Sequence, residues 1–193
     1  MFTERVRVVS TPSIPMASRP CSNFSQISGQ PDCSDSSAWW KQIVVDDVYR
    51  GSIHIAAEPE FIYNYFIKPE ALVRWMGDHA ILDPRPSGRF TLVLGDRTVE
   101  GQYVELDPPH RLVITWGRRG SPTFPPGSSR LEVTFTPEHG GTRVSIVHTG
   151  LPASERPRHS LGWQHYLARL AAVAAGVDVG AHAVPEELTR GAD

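Results

Sequence analysis

The chain has 193 residues, of which 40% are hydrophobic and 21% charged, and its formal net charge is −2 at pH 7. About 100–200 residues usually make one domain, and this composition is typical of a globular protein. Because the charge balance is slightly acidic and no basic block is present, we expect no nucleic acid among its partners.

The cysteines and the apolar segments indicate the cellular compartment. Cys21 and Cys33 are the 2 cysteines of the chain, and both precede the region in which strands and helices are predicted. This excludes a secreted disulfide scaffold and is compatible with a reducing compartment. No segment has the pattern of a signal peptide or approaches the roughly 20 apolar residues that span a bilayer. We therefore predict a cytoplasmic protein without a membrane span.

The two ends of the chain differ in composition from its middle. Residues 1–38 are rich in Ser, Pro, Gln, Asn and Asp, and such a segment buries too little apolar surface to offset its chain entropy. We predict a disordered N-terminal tail over 1–38, with an over-long translated leader as the alternative. A single domain is predicted over 40–176, followed by a flexible C-terminal tail over 177–193.

The first part of the domain predicts one strand followed by two short helices. The apolar residues Ile53 and Ile55 alternate with polar ones, as in a strand. Pro59 between two glutamates marks a helix start, since proline is tolerated and acidic residues are favoured in the first turn. The same signal recurs at 68–70 and predicts a second short helix that ends near Met76.

Six strands and one long helix follow in the sequence. Alternating apolar residues predict strands near Ala80, Arg89, Thr98, Arg111, Leu131 and Val144. Apolar residues at helical spacing within 154–175 predict an amphipathic helix that carries Trp163 and stops at Gly176. This order predicts an α+β fold in which a curved antiparallel sheet wraps around a long C-terminal helix.

Five residues are predicted to bind a ligand in a cavity between sheet and helix: Trp75, Trp116, Phe135, His148 and Trp163. By alternation, His148 shares a strand face with Val144 and Ile146, and this face should point towards the helix. His148 is either a polar contact for a ligand or a core histidine satisfied by a neighbouring hydroxyl or carbonyl group. Each tryptophan supplies a large apolar surface and one N–H donor, and core packing is its competing role.

No catalytic or metal-binding motif accompanies these residues. The sequence lacks a nucleophile elbow, a phosphate-binding loop and a dinucleotide-binding fingerprint. His159 and His165 are six positions apart, a spacing that does not place both on one helical face. We therefore predict no metal site, no cofactor and no assignable catalytic residue.

Several motifs, taken together, resemble a known family. The matching segments are Glu58-Pro59, Pro69 to Trp75, Gly88-Arg89-Phe90, Gly101 with Glu105, Pro108 to Trp116, Gly140 to Arg143, His148 to Gly150 and Gly162-Trp163. Over about 48–175 the chain resembles the activator of heat shock protein 90 ATPase homologues, in the START/SRPBCC (Bet v-like) superfamily. The resemblance implies a helix-grip fold with a cavity between the sheet and the C-terminal helix.

The resemblance leaves the activity open, because members of this superfamily bind varied apolar ligands or partners. We predict a binding protein that encloses a small apolar or aromatic molecule. The alternative is an enzyme of the cyclase or hydrolase type that uses His148 as acid and base. Regulation of a chaperone ATPase is the third interpretation. The sequence favours the binding protein over the enzyme, and it leaves a monomer and a homodimer both open.

Overall fold

Seven strands and three helices make up the part of the chain described here, residues 47–181 of a computed structural model. The strands are β1 (Tyr49–Ile55), β2 (His79–Leu82), β3 (Arg89–Leu94), β4 (Arg97–Asp107), β5 (Arg111–Trp116), β6 (Ser129–Glu138) and β7 (Gly141–Thr149). The helices are α1 (Pro59–Ile67), α2 (Pro69–Leu72) and α3 (Arg156–Ala174). All strands join one antiparallel sheet in the order β1-β7-β6-β5-β4-β3-β2. The predicted α+β helix-grip fold is confirmed, with a curved sheet, two short helices after β1 and a long C-terminal helix.

Proline lies in the first turn of each helix. Pro59 begins α1, Pro69 begins α2, and Pro157 is the second residue of α3. Proline suits this position because its missing N–H would have no helical partner there and its φ is already helical. Lys68 before Pro69 is extended, with φ −109° and ψ 121°, and this separates α1 from α2. After α3, Gly176 adopts a φ of +81°, a value that favours glycine.

The inner face of the sheet carries much of the core. Its buried residues include Ser129, Leu131, Val133 and Phe135 on β6, and Thr142, Val144, Ile146 and His148 on β7. Leu131 pairs with His148 across these strands, and Trp116 of β5 pairs with Ser129. Because side chains alternate along a strand, this register brings the inward residues at the ends of three neighbouring strands together.

An aromatic cluster lies between α1 and the sheet. The ring of Phe66 lies 5.0 Å from that of Trp75 and 5.3 Å from that of Phe135, measured between centroids. Trp75 Nε1 donates to the Tyr65 carbonyl at 3.1 Å, and the Tyr103 hydroxyl donates to the Phe66 carbonyl at 2.9 Å. These bonds satisfy buried polar groups and join α1 to β4 and to the residues after α2.

The predicted tails fall largely outside the described residues. This holds for all of 1–38 and for residues 182–193 of the tail predicted over 177–193. Within the described part, the Arg169 guanidinium donates to the carbonyls of Val179 and Gly180, at 3.1 and 3.0 Å. It also donates to the Trp75 carbonyl at 3.1 Å. Arg169 thus joins the residues that follow α3 to those that follow α2.

Candidate functional site

A pocket of about 90 Å³ lies between the sheet and the first half of α3. Its apolar lining consists of Met76, Leu94, Val99, Trp116, Phe124, Gly162 and Trp163. Its polar lining consists of Arg97, Arg118, Glu155, Arg158, His159 and Tyr166. The sheet, the loop after β5 and α3 therefore build this pocket jointly.

Helix α3 and the residue before it present one stripe of side chains to the pocket. These are Glu155, Arg158, His159, Gly162, Trp163 and Tyr166, which recur once per helical turn, singly or as adjacent pairs, as on one helical face. The first members are charged or polar and the following ones are mostly aromatic. Glu155 is the N-cap residue of α3, but its side chain makes no capping hydrogen bond. Instead, Glu155 Oε1 lies 3.4 Å from Arg118 Nη2.

The loop between β5 and β6, residues 117–128, forms one wall of the pocket. Phe124 is buried there, although the loop is rich in glycine and proline. Its N–H donates to Ser121 Oγ at 3.1 Å, and its carbonyl accepts from the Arg118 N–H at 2.7 Å. Ser121 Oγ also accepts from Arg118 Nη2 at 3.2 Å. The tip of the loop is thus held by local hydrogen bonds around one serine.

His148 is buried behind this pocket, and both of its ring nitrogens are hydrogen-bonded. Nδ1 lies 3.1 Å from Trp163 Nε1, and Nε2 lies 2.9 Å from Ser129 Oγ. An indole nitrogen can only donate, so Nδ1 accepts and the proton of the neutral ring lies on Nε2. Nε2 then donates to Ser129 Oγ, which donates to the Trp116 carbonyl at 3.0 Å. This is the geometry of a hydrogen-bonded core histidine, one of the two roles predicted for His148.

The surroundings of His148 keep it neutral. Burial lowers its pKa well below the ordinary value, because the charged ring would lose its hydration, and the neighbouring His159 lowers it further. Protonation would also place an N–H on Nδ1, directly opposite the N–H of Trp163. Proton exchange with a substrate would require one of these hydrogen bonds to break. The geometry thus weighs against the interpretation of His148 as a general acid and base.

His159 is the histidine that lines the pocket. Its ring packs edge-on against His148 and Phe124, with centroids 5.1 and 5.3 Å away. Nδ1 lies 2.9 Å from the Glu155 carbonyl oxygen, so Nδ1 donates and the neutral ring holds its lone pair at Nε2. Burial lowers the pKa of His159, and the hydrogen bond to the Glu155 carbonyl opposes this shift. A neutral His159 therefore keeps an acceptor nitrogen at Nε2.

Three arginines and one glutamate give the pocket lining an excess of positive charge. Arg118 pairs with Glu155, whereas Arg97 Nε lies 3.8 Å from Asp96 Oδ1, a carboxylate outside the lining. Burial lowers the pKa of Arg158, and Arg97 and Arg118 lower it further. Glu155 and Asp96 oppose this shift. The Arg158 guanidinium therefore lies in the field of both like and opposite charges.

The structure separates the five predicted ligand-binding residues. Trp116 and Trp163 line the pocket, and their ring centroids are 5.6 Å apart. The His148 ring lies 5.8 Å from the ring of Trp116 and 6.0 Å from that of Trp163, outside the lining. Trp75 and Phe135 are not among the lining residues; both pack against Phe66 in the aromatic cluster beside α1. Contact of these residues with a ligand stays a prediction.

Sequence reasoning missed the charged half of the pocket lining. Arg158 and His159 precede Trp163 by about one helical turn, so helical spacing was a signal that could have included them. Arg97 and Arg118 had no comparable signal. Arg118 lies after the end of β5, and it is brought beside β4 by an isolated bridge to Val99, a pairing that strand periodicity does not predict. Which charges meet at the pocket therefore depends on how the loop returns to β4.

The described residues contain neither a cluster of metal ligands nor a helix able to span a membrane. Residues 47–181 contain no group of three or more His, Cys, Asp or Glu side chains placed to hold a metal ion. Within the same range, none of the helices combines the length and the apolar character needed to cross a bilayer.

Comparison with known proteins identifies relatives of this domain. Residues 56–175 match the family described as Activator of Hsp90 ATPase homolog 1-like protein. Human Activator of 90 kDa heat shock protein ATPase homolog 1 is 29% identical over 109 residues, which cover 56% of this chain. The match covers 31% of the human protein, so this chain spans about a third of the length of that relative.

Solved structures share the fold. An AHSA1-like protein from Rhizobium etli is 41% identical with a TM-score of 0.55, and the match covers 69% of this chain and 84% of that one. An HSP90 activator from Plasmodium falciparum is 25% identical with a TM-score of 0.56, covering 67% of this chain and 96% of that one. The family match over 56–175 includes all three helices and strands β2 to β7. The chain therefore belongs to the family of Activator of Hsp90 ATPase homolog 1-like proteins.

Proposed function

We propose that this SRPBCC-type domain binds a small apolar or aromatic molecule in the pocket between the sheet and α3. The observation that carries the proposal is the pair of tryptophans, Trp116 and Trp163, which meet at 5.6 Å and both line the pocket. Apolar walls with a few convergent polar groups are the usual makeup of a small-molecule site. Here Arg118 and His159 are among those polar groups.

The size of the pocket limits what enters it without rearrangement. Its volume is about 90 Å³, whereas ligand sites usually measure about 300–1,000 Å³. Phe124 is the wall best able to move, because the hydrogen bonds of its backbone stay within the loop, to Ser121 and Arg118. We propose that a ligand larger than one small group enters by displacing Phe124.

Blocking the pocket tests this function. The apolar fluorescent probe N-phenyl-1-naphthylamine should bind the purified chain and quench its tryptophan fluorescence. Val99→Phe places a ring in the pocket and should weaken this binding by about tenfold or more, equal to about 1.4 kcal/mol. Native mass spectrometry of the purified chain would identify any small molecule that co-purifies with it.

Val104→Phe is the matched control for this experiment. Val104 lies on the same strand, but its side chain is exposed and does not line the pocket. It should bind the probe as the unaltered chain does. Equal binding by the Val99→Phe and Val104→Phe variants would count against the pocket as the binding site.

A second candidate function is regulation of an Hsp90 ATPase. It is supported by the names of two similar proteins, the human ATPase activator homolog and the Plasmodium HSP90 activator. The test is the steady-state ATPase rate of a purified Hsp90 with and without this chain. A rate increase that Val99→Phe leaves unchanged would support regulation through a surface other than the pocket, and an unchanged rate would argue against this candidate.

A further inference from the structure

We propose that the pocket binds an aromatic molecule that carries one hydroxyl group, a phenol, and that Trp116 and His159 recognise this group. The hydroxyl accepts a hydrogen bond from the Trp116 N–H and donates one to Nε2 of His159. This inference rests on the proposed binding function and names the ligand class for the same pocket. Two polar atoms at an otherwise apolar wall carry it.

The hydrogen bond at Nδ1 of His159 makes its other ring nitrogen an acceptor. A carbonyl oxygen can only accept, so Nδ1, which lies 2.9 Å from the Glu155 carbonyl oxygen, carries the proton of the neutral ring. The lone pair is then at Nε2. Burial lowers the pKa of His159, so the ring is neutral at neutral pH. Within residues 47–181, no group forms a hydrogen bond with Nε2.

Trp116 supplies a donor to the same pocket. The residue is only 4% exposed, yet its indole N–H has no acceptor in the described part of the chain. The other two described tryptophans do have one, since the N–H of Trp75 donates to a backbone carbonyl and that of Trp163 donates to His148. A buried indole N–H usually finds a partner. The Trp116 N–H is therefore available to a ligand.

Both nitrogens are reached from the pocket. Trp116 and His159 line it, and neither nitrogen is a fully enclosed polar atom without a partner. The remainder of each side chain is covered, since that of His159 is only 12% exposed. The two rings also lie close together, because both pack against His148, with centroids 5.8 and 5.1 Å away. One group of a ligand can therefore lie between them.

The apolar wall limits the ligand to one such group. The surface of the pocket is almost wholly apolar, with Phe124 packed beside His159 and Trp163 beside Trp116. Further polar groups of a ligand would be buried without partners, which is unfavourable. A hydroxyl supplies one donor and one acceptor, so it matches both nitrogens. A carbonyl would leave His159 unpaired, and an ammonium group would leave Trp116 unpaired.

Isothermal titration calorimetry on the full chain with three probes, phenol, anisole and toluene, tests the proposal. Phenol and toluene have nearly the same size, but only phenol carries a hydroxyl group. Phenol should bind about fivefold or more tightly, because it forms two hydrogen bonds that toluene lacks. A purely apolar pocket would give the opposite order, since burial of an unpaired hydroxyl is unfavourable. Anisole accepts but cannot donate, so it should bind less tightly than phenol.

Variants that preserve an aromatic ring assign the preference to these two residues. His159→Phe removes the acceptor and should bring the affinity for phenol close to that for anisole. Trp116→Phe removes the donor and should weaken both relative to toluene. His159→Gln keeps an acceptor and should retain part of the preference. His54→Phe is the matched control, because His54 is exposed on β1 and does not line the pocket. Thermal unfolding checks that each variant is folded.

Nuclear magnetic resonance reports on the donor directly. In an isotope-labelled chain, the indole N–H signal that disappears in the Trp116→Phe variant belongs to Trp116. Phenol should move this signal downfield, as hydrogen bonding does, and toluene should move it less. Equal shifts with phenol and toluene would contradict a hydrogen bond from Trp116.

The outcomes separate this proposal from the proposed function. Toluene binding as tightly as phenol, or a preference for phenol that persists in both His159→Phe and Trp116→Phe, overturns the hydroxyl proposal and leaves apolar binding intact. Phenol binding that survives Val99→Phe places the hydroxyl outside the pocket and also overturns it. If none of the three probes binds at millimolar concentration, the hydroxyl proposal fails, and the separate titration with N-phenyl-1-naphthylamine decides the proposed function.

Discussion

The ring of His148 connects four elements of the fold through hydrogen bonds. It accepts from Trp163 on α3 and donates to Ser129 on β6, which donates to the carbonyl of Trp116 on β5. His148 itself lies on β7. Each polar group in this series of hydrogen bonds has a partner although the four residues are buried. Leaving one such group unpaired costs about 1–3 kcal/mol.

We expect Trp163→Phe to lower the free energy of unfolding by about 1–3 kcal/mol, because it keeps an aromatic ring but leaves His148 Nδ1 without a donor. Urea unfolding monitored by circular dichroism measures the loss. In a His148→Leu background the same substitution should cost less, since no acceptor remains. An equal cost in both backgrounds would show that the hydrogen bond contributes nothing.

The two buried histidines should make stability depend on pH. The folded-state pKa of His148 and of His159 lies below 6.5, so between the folded and unfolded values the unfolded chain binds more protons. Their contribution is therefore complete above about pH 6.5 and is lost as the pH falls through the folded values. Around His159, Glu155 raises the pKa while Arg158 and Arg118 lower it.

Urea unfolding between neutral and mildly acidic pH measures this dependence. Stability should fall as the pH drops below about 6.5, and His148→Gln should make the fall shallower. Hydrogen bonds to Arg111 and Arg143 lower the pKa of the Glu132 and Glu138 carboxyl groups below 4.5. The stability that these carboxylates contribute is therefore lost only at a pH more acidic than the histidine range. Constant stability across the histidine range would contradict this prediction.

At the scale of elements, the loop 117–128 closes the pocket that α3 and the sheet leave open. Phe124→Ala should enlarge the pocket and raise the affinity for N-phenyl-1-naphthylamine, because the largest movable wall is removed. Fluorescence titration measures the change. Phe61→Ala is the control, since Phe61 is exposed on α1 and its removal should leave the affinity unchanged. Unchanged affinity in Phe124→Ala would show that the loop does not limit entry.

At the scale of the whole molecule, the described residues share one hydrophobic core that is filled beside α1 and borders a pocket near the start of α3. Beside α1, the rings of Phe66, Trp75 and Phe135 pack closely and fill the space against the sheet. Near the start of α3, Trp116 and Trp163 border a pocket instead. We therefore expect substitutions beside α1 to affect stability mainly and those near the start of α3 to affect binding as well.

The composition of residues 1–38 predicts that they contribute little to the stability of the domain. Their deletion should shift the melting temperature by less than about 5 °C, which corresponds to about 1 kcal/mol in a small domain. Scanning calorimetry of the full and shortened chains measures the shift. A larger decrease would show that the segment packs against the domain.

Local sequence signals predicted the order of the elements and the inner face of β7, although the helix expected to end near Met76 ends at Leu72. The alternation of Val144, Ile146 and His148 predicted an inward row on β7, and all three are buried. Proline at 59 and 69 predicted the starts of α1 and α2. The inward row follows from the period of side chains along a strand, and the helix starts follow from the helical φ of proline; a sequence displays both directly.

Only the tertiary structure decided which residues meet at the site. The sequence assigned Trp75 and Phe135 to the same cavity as Trp116, whereas in the structure these two pack against Phe66 and do not line the pocket that Trp116 borders. The partners and tautomer of His148 depend on strand register and on how α3 lies across the sheet. The positive charge of the pocket depends on a loop returning to β4. These contacts join residues far apart in the chain, and periodicity carries no information about such pairs because it reports only on near neighbours.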